Sequence, residues 1–293
     1  DSTPTKANAS VDLKGNLNVA DGVANGNVTL WGATTQDSAS KITTANLTLA
    51  SDGTNLKDFT LASDNNLIGK VQGPTAVGDV KINNAQTLTL GSVTADKFDV
   101  TVKGTDNDLV FEGVVKAQNA GKASSFTSAK GDVVSTGTAS ELDAKGDVDV
   151  SATSGDIVMD TKFTTAAGKT IDFKANKGSG EIQLNSTASV FAGTVKGEAS
   201  KVTIKANTIT LGDVTAKSDD LTVTAGGEIT VAGTVKSSDT VDITGKKISG
   251  TATAAEVKGD VVKLKANGTA ATDDVDLAAK ITANDSLTLT AES

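Results

Sequence analysis

The sequence predicts an all-β protein: a parallel β-solenoid, or β-helix, with coils of about 20 residues and little or no helix. Three observations predict it: an internal repeat far shorter than a domain, runs of apolar-x-apolar alternation separated by turn residues, and a composition suited to a narrow core.

The repeat comes first. Thr87-Leu88-Thr89-Leu90-Gly91-Ser92-Val93-Thr94-Ala95 recurs as Thr208-Ile209-Thr210-Leu211-Gly212-Asp213-Val214-Thr215-Ala216, seven of nine positions identical at an offset of 121. Phe111-x-Gly113-x-Val115-Lys116 recurs as Phe191-x-Gly193-x-Val195-Lys196 and again as Val231-x-Gly233-x-Val235-Lys236, at offsets of 80 and 40. Near the C-terminus Val202-Thr203-Ile204, Leu221-Thr222-Val223 and Val241-Asp242-Ile243 open successive units at spacings of 19 and 20. Tandem β-sandwiches would repeat at roughly 90–100 residues, so the period favours a solenoid. One such unit holds two or three short strands and buries its apolar edge only against a neighbour. Roughly fourteen coils would stack into a rod on the order of 65–70 Å long.

Composition agrees. Of 36 acidic residues seven are Glu, so 29 are Asp, a turn former; there are 29 Gly and two Pro. Aromatic residues make up 3%: seven Phe, Trp31 and no Tyr. Val, Ile, Leu, Ala and Thr are therefore expected to fill an interior too narrow for large rings. The stack is expected to run from 11 to 293 behind a flexible lead-in at 1–10. An irregular segment at 117–145, poor in large apolar residues, reads as weakly packed coils or as an insertion. Asn267 to Asp274 reads as an enlarged corner.

The residue inventory excludes much chemistry. The chain has no Cys, His or Arg, and all 27 basic residues are Lys. Serine-histidine triads, cysteine nucleophiles, HExxH zinc sites and arginine fingers have no members here. There is no phosphate-binding P-loop sequence. A net charge of −9 argues against nucleic acid as a partner. No apolar run approaches the ~18 residues of a membrane helix, so membrane insertion is not expected. The expectation is a protein that is not an enzyme and requires no cofactor. Calcium is the one ion its corners could hold, through Asp106, Asn107 and Asp108, through Asp219 and Asp220, or through Asp273 and Asp274, all hard oxygen donors. The competing reading of these acids is as solvated turn formers. Paired carboxylates of a polysaccharide-cleaving enzyme are a remote alternative.

Leu221-Thr222-Val223-Thr224-Ala225-Gly226-Gly227-Glu228-Ile229 and Val241-Asp242-Ile243-Thr244-Gly245-Lys246-Lys247-Ile248 resemble the repeats of bacterial surface β-helices, namely filamentous-haemagglutinin-type adhesins and autotransporter passengers. The Thr/Ala/Val/Asp-rich, Cys-free composition is also similar to that of S-layer subunits. The resemblance runs from about Val80 onward. It implies an exported, extracellular cell-surface protein that assembles with itself into a lattice or filament. The alternative it implies is an adhesin that binds a surface polysaccharide or protein. No site residue is carried over, because such repeats are structural.

Overall fold

A computed structural model describes residues 10–19, 26–137, 139–176, 179–250, 255–270 and 272–292. The chain is a parallel β-solenoid, 62% strand and without helix among the described residues, with about twelve turns some 22 residues apart. At the usual inter-strand spacing the stack is on the order of 55–60 Å long. It is shorter than the sequence period suggests, because the coils are wider and fewer.

From Leu88 onward each coil supplies three sheets in turn. In one coil these are Leu109–Phe111 (sheet 1), Val114–Ala117 (sheet 2) and Ser124–Ser128 (sheet 3). Every pairing between them is parallel, coil on coil. Sheet 1 contains an unbroken inner column: Leu88, Leu109, Val133, Ile157, Ile182, Val202, Leu221, Val241, Val262 and Leu287. Sheet 1 reaches back through Leu90, Val71, Leu47 and Val28. The alternation is what places these residues. With a side-chain period of two, apolar-x-apolar sends both apolar residues inward and the middle residue, mostly Thr, Asp or Lys, outward.

The spacing along that column explains how the period was under-read. Steps of 19 to 21 residues run from Ile182 to Val262, whereas Leu109, Val133, Ile157 and Ile182 stand 24 to 25 apart. The wide coils hold Phe126, Phe163 and Phe173, and no Phe follows Phe191. The expectation that rings do not fit is corrected here: all seven Phe are fully buried. Phe126 packs between Phe98 and Phe111, with centroids 5.6 and 5.2 Å apart. Phe163 contacts Phe173 and Phe191 at 5.4 and 5.6 Å. A longer coil encloses a broader section, and rings fill it at close-packed density.

Segment 117–145 supplies ordinary rungs: Ser124–Ser128, Val133–Ser135 and Glu141–Ala144 all pair with coils on both sides. Its shortage of large residues is met by Phe126 and by buried serines. Ser124 Oγ accepts the Phe98 amide at 3.1 Å, and Ser128 Oγ accepts the amide of Gly131 at 3.0 Å. The lead-in expected at 1–10 lies outside the described residues except for Ser10, which opens the first strand, Ser10–Leu13. Residues 267–274, of which 271 is not described, form the corner between Ala266 and Val275.

Polar groups inside the stack are paired. Gln36 and Asn66 exchange reciprocal amide hydrogen bonds at 2.7 and 2.9 Å. Asn84 accepts the amide of Ile68 and donates to its carbonyl, both at 2.9 Å. Among the described residues no buried side-chain nitrogen or oxygen lacks a partner. Buried amides left unpaired would each cost about 1–3 kcal/mol, so this internal ladder is a condition of stacking.

Candidate functional site

The acidic corners are the first candidates. Asp106 sits in a left-handed turn, φ 53°, and its amide donates to the Lys130 carbonyl at 3.3 Å. Asn107 Nδ2 donates to the Ala85 carbonyl at 3.0 Å. Asp108 Oδ1 accepts the amide of Asp132 at 2.9 Å. Asp219 Oδ1 accepts the Asp220 amide at 2.7 Å, and Asp220 Oδ1 accepts that of Thr240 at 3.2 Å. Asp273 Oδ2 accepts the Ala270 amide at 2.9 Å and lies 3.8 Å from Lys246 Nζ. Asp274 is exposed, and its carbonyl accepts the amide of Ile248 at 3.0 Å.

The three clusters are not brought together. Asp108 and Asp220 occupy the same corner, before sheet 1, but five rungs apart, roughly 24 Å. Asp273 and Asp274 precede Val275 in sheet 2, at another corner. Among the described residues no group of three or more carboxylates converges as a cation would require.

What these acids do instead is a device the sequence reading missed. Asp108 Oδ1 accepts from Asp132, Asp132 Oδ1 from Asp156, and Asp156 Oδ1 from Glu181, the last two at 2.8 Å. Each acid stands one residue before an inward apolar residue and accepts the amide of the residue at the same register position in the next coil. Asp58 serves Asp79, Asp147 serves Thr170 and Asp213 serves Thr234 in the same way, at 2.7, 2.7 and 3.0 Å. The signal was present as a recurrent Asp before two apolar residues: Asp108-Leu109-Val110, Asp132-Val133-Val134 and Asp156-Ile157-Val158.

The second candidate is a groove of about 590 Å³ on the corner between sheets 1 and 2. Its floor is backbone. A Cβ on Gly113 would meet Gly91 C at 2.6 Å, and one on Gly73 would meet the Leu49 carbonyl oxygen at 2.7 Å, so successive coils touch there without side chains. Its walls are mixed: Lys70, Gln72, Ser92 and Glu112 stand beside Pro74, Val114 and Ala139, with Thr48 at one end. Lys70 Nζ and Glu112 Oε1 form an ion pair of 2.8 Å across two coils. Glu112 is the one carboxylate lining the groove. On the same sheet the outward residue Thr29 pairs with Thr48, and Trp31, two positions on and also outward, pairs with Ala50. Trp31 is 54% exposed, an unusual state for the largest side chain in the protein.

Together these features define a parallel β-solenoid with a shallow groove of mixed lining and with acidic corners that bond from coil to coil. No known protein family, curated protein or solved structure matches the chain.

Proposed function

We propose that this chain is a structural rod of a bacterial cell surface that assembles with itself into a filament or lattice. The observation that carries the reading is the unbroken ladder, a one-dimensional stack in which each coil pairs in parallel with the next. The extracellular setting is supported by the resemblance of the repeats to surface β-helices. Asp108, Asp132 and Asp156 are engaged as acceptors from coil to coil, which favours a non-enzymatic role needing no cofactor.

Sedimentation velocity and negative-stain microscopy, with and without calcium, test this. Wild-type protein is expected to form elongated particles of several rod lengths. Dilution is expected to return single rods with unchanged circular dichroism. Wild-type protein that stays monomeric at every concentration and in both calcium conditions would overturn the proposal.

A further inference from the structure

We infer that the groove between sheets 1 and 2 is a binding site for a neutral oligosaccharide, with Trp31 as its stacking platform. The volume, about 590 Å³, lies within the range of small-ligand sites. Its two charges, Lys70 and Glu112, cancel, so the groove has no preference for an ionic ligand. What it offers is both donors and acceptors: an ammonium, a carboxylate, the Gln72 amide and the hydroxyls of Thr48 and Ser92. A chain of sugar hydroxyls satisfies both kinds.

The apolar face of a sugar ring needs a flat partner, and the chain has one exposed aromatic of that kind. Every Phe is buried in the core, whereas Trp31 points outward on the rung next to Ala50. Nothing in the fold requires a large ring there. Thr29 and Thr48 show that a small polar residue serves the outward positions of this sheet. Trp31 and Glu112 lie four rungs apart along the stack, a span of roughly 19 Å. Gly73, Gly91 and Gly113 line the groove without side chains. The site thus suits an extended chain lying along the rod axis. The inference does not depend on self-assembly, because the groove lies on the flank of the rod, away from its last coil.

The single Trp and the absence of Tyr make intrinsic fluorescence a direct report of this site. The experiment titrates the whole chain with cellotetraose, maltotetraose, mannotetraose and chitotetraose, with tetragalacturonate as the acidic control. A saturable change in Trp31 emission with at least one neutral tetrasaccharide is expected. The double variant Lys70→Ala, Glu112→Ala should bind it about tenfold or more weakly. Its thermal melt should be unchanged, since an exposed ion pair contributes little to folding. Trp31→Ala, followed by calorimetry, should lose binding as well. The proposal is overturned if no neutral tetrasaccharide gives a saturable response up to millimolar concentration, if only tetragalacturonate binds, or if the Lys70/Glu112 variant binds as tightly as wild type.

Discussion

At the scale of the residue, Asp is the working side chain of this fold, and it works by accepting backbone amides. The turn after Ala50 shows the chemistry most clearly. Asp52 Oδ1 accepts the amides of Thr54 and Asn55 at 3.0 and 2.7 Å and the Thr54 hydroxyl at 3.1 Å. These bonds, the Asn55 amide foremost, hold its carboxyl at about 2, well below the ordinary carboxylate range. The folded value lies below the unfolded one, so the turn's contribution is present above the unfolded value of ~3.9 and is lost as pH falls through about 2. A carboxyl NMR titration should therefore find Asp52 ionised down to the acid limit. Asp52→Asn should make the amides of Thr54 and Asn55 exchange faster at neutral pH. An Asp52 midpoint near 4 would contradict the geometry. The same preference of Asp for backbone amides bears on the calcium candidates: residue type and position were legible, but the carboxylates of Asp108, Asp219, Asp220 and Asp273 serve amides, from another coil or from the turn's own backbone.

At the scale of the element, the unit is a strand capped by an acid from the coil before it. Asp132 is central to the ladder, accepting from Asp156 and itself donating to Asp108. Asp132→Ala should destabilise the protein by about 1–2 kcal/mol, the cost of stranding a partly buried amide. Asp132→Asn keeps an acceptor oxygen and should lose less than half of that; urea unfolding of the two variants checks it, and equal losses would show that charge and not capping is what matters. The strands were legible because period-two alternation is local. The corners were less so. Leu88–Leu90 and Val93–Ala95 turn from sheet 1 to sheet 2, whereas their near-identical counterparts Ile209–Leu211 and Val214–Ala216 turn from sheet 2 to sheet 3. Phe111-x-Gly113 and Phe191-x-Gly193 likewise sit at different corners. The glycine corner is a portable piece, used on any side, so offsets of 80 and 121 do not count whole coils. This is why the arithmetic gave 20 residues where the stack uses about 22. The groove was illegible for a related reason: Lys70 and Glu112, 42 residues apart, meet only because two intervening corners stack.

At the scale of the whole molecule, the solenoid is a one-dimensional object in which each coil touches only its neighbours. Its stability is then a sum of coil and interface contributions, and a local defect should stay local. The widest coils carry the two Phe clusters, the ends carry half-covered apolar residues, and the charge pairs on the flank are exposed and contribute little. Amide hydrogen exchange should accordingly be slowest in coils bearing Phe98 to Phe191 and fastest in Ser10–Leu13 and the strand Lys280–Ala291. Phe126→Ala removes a ring that bridges Phe98 and Phe111 and should cost about 3–5 kcal/mol. Its loss of protection should fall on Val100, Phe111 and Val150, the rungs that contact or pair with it, and fade before Leu221–Val223, five coils on. If Phe126→Ala instead lowers protection equally along the chain, the stack unfolds as a single cooperative body, and the interfaces between coils are stronger than the coils themselves.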